Sequence, residues 1–193
     1  MEKYIIVSPG RAASNSIRLH IQNSLTKRGI ANSVENLDTP MLWPELVEDP
    51  ENWNVVISTR RDMLAQVLSF YSIILTKQTH KFKEVPLEPF VIPRVYFFVF
   101  ALGILFFHDK IFGIKEWPAF KSIHWLVYED ITQDWKKTGE SLGFDDWDQY
   151  PECHALGYGP VWDKVINKQE VLSWVEELQK DYQFTTDLEK YKL

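Results

Sequence analysis

The sequence predicts an α/β fold with a mostly parallel central sheet flanked by helices. Short apolar, β-branched runs alternate along the chain with stretches of helical spacing, the pattern of strand–helix–strand units. The first two units repeat one order: strand, polar turn, helix. A length of 193 residues with 45% apolar and 15% aromatic content suits one packed domain, here expected to span 1–193.

Taken in order, Tyr4–Ser8 reads as a buried strand, Pro9-Gly10 as a turn, and the stretch from Ser14 as a helix carrying Ile17, Ile21 and Leu25, stopped at Gly29. Trp53–Thr59 predicts a second strand and Asp62–Leu75 a helix with Leu64, Val67, Leu68 and Ile74 available for burial. The segment from Thr76 to Pro93 holds Pro86, Pro89 and Pro93 and reads as a lid, a substrate-binding loop or a solvated linker. Val95–Phe107 is almost wholly apolar, and its 13 residues, short of the roughly 20 needed to span a bilayer, predict a core helix. Ile123–Tyr128 predicts a third strand and Gln133–Leu142 a helix ended by Gly143. Asn167-Lys168-Gln169-Glu170 resembles a capping box opening a helix to about Lys180, within a C-terminal helical extension over 145–193.

A net charge of −6 argues against non-specific binding to nucleic acid or anionic membranes, so any bound anion must meet a local basic site. Cys153 is the single cysteine, which excludes an internal disulfide and a cysteine-rich zinc cluster. Met1–Val7 lacks a signal-peptide pattern, and a cytoplasmic protein is expected.

Two strand-to-helix turns carry candidate chemistry. Pro9, Gly10, Arg11, Ala12, Ala13, Ser14, Asn15 and Ser16 lie where backbone N–H groups and the helix dipole stabilise an anion. The Gly-Lys-Ser/Thr ending of a Walker loop is missing, which disfavours an ordinary ATPase or kinase. The second turn, at Arg60 and Arg61, either binds an anion at the carboxyl end of its strand or pairs with surface carboxylates. Glu129 and Asp130 read as helix-start and loop-tethering groups, and His20, His108 and His124 as structural. Trp43, Trp53 and Trp117 are of a type that stacks on sugars or adenine, but most of the tryptophans are expected in the core.

Three motifs in order resemble the sulfotransferases that use 3′-phosphoadenosine 5′-phosphosulfate, especially the bacterial trehalose 2-sulfotransferase type. Pro9–Ser16 is similar to the 5′-phosphosulfate loop Pro-(Lys/Arg)-Ser-Gly-(Ser/Thr)-(Ser/Thr), with Arg11 in the basic position. Arg60-Arg61-Asp62, Ala65-Gln66 and Ser69 resemble the 3′-phosphate segment, with Arg61 and Ser69 at its spacing. Val127-Tyr128-Glu129-Asp130-Ile131 and Leu142-Gly143 look like the Tyr-Glu-Asp-Leu and Leu-Gly elements, so the match spans residues 4–144. Departures are Ala12-Ala13 for Ser-Gly, Asn15 for a hydroxyl, an extra Gly10, and no C-terminal Arg-Lys-Gly.

The resemblance implies a P-loop-like three-layer sandwich and metal-free sulfuryl transfer to a hydroxyl of a small-molecule, carbohydrate or lipid acceptor, releasing adenosine 3′,5′-bisphosphate. It implies that Arg11 steadies the leaving phosphate and that Arg60, Arg61 and Ser69 hold the nucleotide. Glu35, on the loop after the first helix, stands in the position of the base, with His80 as the second choice. The rival expectations are a non-catalytic nucleotide- or partner-binding domain and an ATP-dependent kinase-like enzyme.

Overall fold

The computed structural model describes residues 1–10, 12–37, 47–76, 87–114, 117–148, 161–186 and 191. They fall into two compact units, Met1–Arg60 with Phe107–Pro151, and Arg61–Phe106 with Glu152–Leu193.

The first unit holds an all-parallel sheet of four strands, β1 (Glu2–Val7), β2 (Asn32–Leu37), β3 (Trp53–Thr59) and β4 (Ser122–Val127), in the order β2-β1-β3-β4. This is the expected α/β architecture. The two inner strands are covered on both faces and therefore read as continuous apolar runs. On one face Tyr4, Ile6 and Val56 pack against Ile17, Ile21 and Leu25 of α1 (Ser14–Lys27), together with Ile131, Trp135, Phe144 and Trp147. On the other, Ile5, Val7, Val55 and Ile57 pack against Phe107 and Ile111.

Three expectations need correcting. The segment carrying Glu35 is not a loop: it is strand β2 at the sheet's edge, paired to β1 with Ile5 opposite Glu35, Ile6 opposite Asn36 and Val7 opposite Leu37. Its Asn, Ser and Glu residues are tolerated because an edge strand is only partly covered, so apolar alternation is absent. The helix predicted over Gln133–Leu142 is α5 (Trp135–Ser141), but a separate, unpredicted helix, α4 (Tyr128–Gln133), precedes it and takes Tyr128 from the predicted strand. Asp134 divides them: its carboxylate accepts from Lys137 N at 2.9 Å and caps α5. The predicted core helix Val95–Phe107 runs further, as α3 (Arg94–Phe112), because the polar run His108-Asp109-Lys110 does not break it and Ile111 is buried again. At 19 residues and a mean hydropathy of 1.7, α3 is long and apolar enough to cross a membrane, so the argument from short length falls.

The second unit is helical in its described residues. α2 (Met63–Thr76) starts one residue later than predicted, with Asp62 as its cap: the carboxylate accepts from Ala65 N at 3.1 Å. Leu64, Val67 and Leu68 are buried as expected, but Ile74 is exposed. Phe97, Ala101 and Ile104 of α3 join this core, while Val95, Val99 and Leu102 face outward. α6 (Lys168–Asp181) begins where predicted, but Asn167 does not cap it. Its side chain instead accepts from Ile92 N and donates to Ile92 O, both at 3.0 Å, and donates to Glu170 at 3.1 Å. The lid or loop expectation and His80 lie largely or wholly outside the described residues, as do Trp43 and Cys153.

Gly139 of α5 lies under Trp147: an added Cβ would stand 2.6 Å from the Trp147 Cβ, and Trp147 stacks on Trp135 and Phe144 at 4.4 and 5.7 Å. Gly139→Ala is expected to lower stability by about 1–3 kcal/mol, the usual cost of overpacking, in urea denaturation followed by tryptophan fluorescence. An unchanged midpoint would show that this contact yields freely.

Candidate functional site

The strand order places a topological switch point between β1 and β3. The chain leaves β1 through α1 to β2 on one side, and β3 lies on the other. In open parallel sheets ligands bind in the crevice outside the carboxyl ends of such a pair. The Pro9–Ser16 turn follows the carboxyl end of β1 at that point.

The turn is held from both neighbouring strands. Ser8 N donates to Leu37 O at 3.3 Å, Gly10 N donates to Ser8 Oγ at 3.1 Å, and the buried Ser58 Oγ of β3 donates to Ala12 O. These ties compress the passage from strand to helix, and both Gly10 (φ 78°) and Ala13 (φ 66°, ψ 11°) adopt left-handed backbone. For alanine this costs about 1–2 kcal/mol, which glycine avoids. Ala13 is also the N-cap of α1, and it has no side-chain acceptor to cap the helix. The first N–H groups of a helix have no partner within it, and the first turn of α1 carries no acidic residue. The result is a rigid, electropositive helix start suited to an anion.

Other candidate residues are grouped by unit. In the first, Arg60 at the carboxyl end of β3 lies over the Tyr128 ring, its guanidinium carbon 4.3 Å from the centroid, with Glu129 Oε1 3.7 Å from Nε. Asn36 Nδ2 donates to Asn15 Oδ1 at 2.7 Å, linking β2 to the start of α1. Strand alternation puts Glu35 on the opposite face from Asn36; it is exposed and accepts from Ser33 Oγ at 3.3 Å. In the second unit Arg61 is exposed, with its carbonyl accepting from Met63 N and Thr185 Oγ1, and Ser69 lies on α2. Arg11 and His80 lie outside the described residues. Sequence reasoning missed Ser58, Asn36 and the Arg60–Tyr128 stack. A serine closing an apolar strand was a signal for the first, and nothing local marked the other two.

Among the described histidines, His20 touches the turn through the Ser16 backbone. His20 Nδ1 donates to Ser16 O at 3.0 Å, between the edges of Trp135 and Trp147, and burial outweighs that carbonyl to hold its pKa below the ordinary value. Burial likewise lowers His124, whose Nε2 lies 2.9 Å from Ser122 Oγ, and His108, whose Nε2 is buried without a partner among the described residues.

Two measurements follow from this geometry. Ala13→Gly is expected to stabilise the fold by about 0.5–1 kcal/mol in urea denaturation, relief of strain exceeding the added unfolded-state entropy; destabilisation would contradict the left-handed assignment. The three imidazoles protonate more readily unfolded than folded, so their contribution is complete above about pH 6.5 and lost as pH falls through the lowered folded values. Unfolding free energy should therefore decline from about pH 7 to 5, and His108→Phe should flatten the decline. A profile unaffected by that substitution would count against the burial of His108.

Comparison of the chain with protein-family models, with characterised proteins and with solved structures finds no match.

Proposed function

We propose that this chain is a sulfotransferase of P-loop-like architecture that moves a sulfuryl group from 3′-phosphoadenosine 5′-phosphosulfate to a hydroxyl of a small-molecule, carbohydrate or lipid acceptor. One observation carries the reading: the uncapped start of α1, strained at Ala13 and free of acidic residues in its first turn, at the carboxyl end of an inner parallel strand. Strain of this kind persists where function requires it. The donor set there, backbone N–H groups with the Ser14 and Ser16 hydroxyls, fits a phosphosulfate anion.

In this reading the protein contributes position and charge. The N–H groups of α1, with Arg11, neutralise the leaving phosphate as the acceptor oxygen bonds to sulfur and the bond from sulfur to the phosphate oxygen breaks. The acceptor proton passes to a carboxylate, Glu35, or to His80. Arg61 and Ser69 are assigned to the 3′-phosphate.

A second reading, nucleotide binding without transfer, is favoured by Glu35. Its carboxylate is exposed and lies on the sheet face opposite the Asn36–Asn15 contact.

Calorimetric titration with adenosine 3′,5′-bisphosphate, against 5′-AMP and ATP, tests the cofactor class. Binding that requires the 3′-phosphate is expected, and no preference among the three would sink the proposal. Arg61→Ala is expected to weaken the bisphosphate by about 10–100-fold and leave 5′-AMP unchanged, since one charge-assisted contact is lost. Equal loss for both would remove Arg61 from the 3′-phosphate. Glu35→Gln separates the two readings: it should abolish transfer of labelled sulfate to an acceptor panel without altering nucleotide affinity.

A further inference from the structure

Arg60 is under-satisfied where it stands. Its side chain is only 17% exposed, and its Nε is buried with no hydrogen-bond partner among the described residues. The Tyr128 ring covers one face of the guanidinium. The Glu129 carboxylate, 21% exposed, lies 3.7 Å from Nε, so it balances the charge without accepting a hydrogen bond from that N–H. A cation taken this far out of water is costly unless its N–H groups are met by acceptors. Register explains the grouping: Thr59 pairs with Val127, so the next residues, Arg60 and Tyr128, leave the ends of adjacent strands together.

We infer that Arg60 Nε is the contact for a phosphate-type oxyanion at the carboxyl end of β3, and that Glu129 is the counter-ion which that anion displaces from Arg60. This rests on the anionic-nucleotide reading for its ligand class, and adds a contact and a built-in competitor. The planar guanidinium offers Nε–H and an Nη–H in one fork, matching two oxygens of a phosphate. Glu129 keeps the cation neutralised in the empty protein and opposes every anion that enters. It thereby discriminates against weakly charged anions, because only a multiply charged group repays the loss of the carboxylate.

The experiment compares pyrophosphate and adenosine 3′,5′-bisphosphate binding by wild type, Glu129→Gln, Arg60→Lys and the double variant. Glu129→Gln is expected to bind pyrophosphate about tenfold more tightly, since a like charge is removed from beside the anion. Arg60→Lys should weaken binding, because the ammonium lacks the fork, and the gain from Glu129→Gln should be smaller in that background, where the anion is held less closely beside residue 129. A Glu129→Gln protein that folds less stably and binds pyrophosphate no better would overturn the inference and make the pair structural. If that variant does not fold, the Arg60 Nε–Hε signal of the wild type, assigned through Arg60→Lys, gives the answer by nitrogen-15 NMR. It should shift on adding pyrophosphate, and a signal that stays fixed would overturn the contact. Bisphosphate bound equally by wild type and Glu129→Gln removes this inference and leaves the nucleotide reading. Pyrophosphate behaving as stated while bisphosphate gains nothing from its nucleoside does the reverse.

Discussion

The parallel pairing of β1 with β3 is the interaction on which the first unit depends. Ile6, Val7, Val55, Val56 and Ile57 have no exposed surface, so both strands are committed to the core on both faces. Everything polar in their vicinity is pushed to the strand ends. Because the strands are parallel, the turn after β1, the arginine after β3 and, through β4, Tyr128 and Glu129 all emerge at carboxyl ends. Ser58 then fastens the Ala12 carbonyl across the pair. The switch point is therefore a consequence of core burial, and the site's polar groups inherit their places from it.

Helix starts show where local rules are kept and where they are broken. α5 is capped by Asp134 and α2 by Asp62, each carboxylate accepting from a first-turn N–H. Asp62 also receives the Thr186 and Tyr191 hydroxyls at 2.8 Å and so fastens the later part of the second unit to the start of α2. α1 differs: its cap is an alanine in left-handed backbone with no side-chain acceptor. Arg60 is a second departure, a mostly buried cation with an unbonded Nε. Both departures fall at carboxyl ends of the two inner strands. An alanine cap and a half-satisfied arginine side by side at the switch point are local departures of the kind expected at a functional site.

The second unit is built on a different economy. α6 presents mixed faces, whereas α3 is apolar nearly all round, burying Phe97, Ala101 and Ile104 and exposing Val95, Val99 and Leu102. Apolar periodicity marks such a helix but does not say which face is covered, and one polar interruption at His108–Lys110 is enough to hide its true length.

The sequence by itself determined the α/β class, the strands over 4–8 and 53–59, the start of α1 at Ser14 and the stop at Gly29. Those features are local: periodicity, turn chemistry and backbone sterics act within a few residues. Only the tertiary structure decided that 32–37 is a strand, since Asn32–Leu37 takes its conformation from hydrogen bonding along β1 and not from its own composition. The same holds for the Ser58–Ala12 tie, the Asn36–Asn15 bond and the Arg60–Tyr128–Glu129 group, whose members are separated by 46, 21 and nearly 70 residues in the chain. Side chains that distant meet only after the sheet has chosen its order, so their chemistry cannot be read from spacing along the sequence.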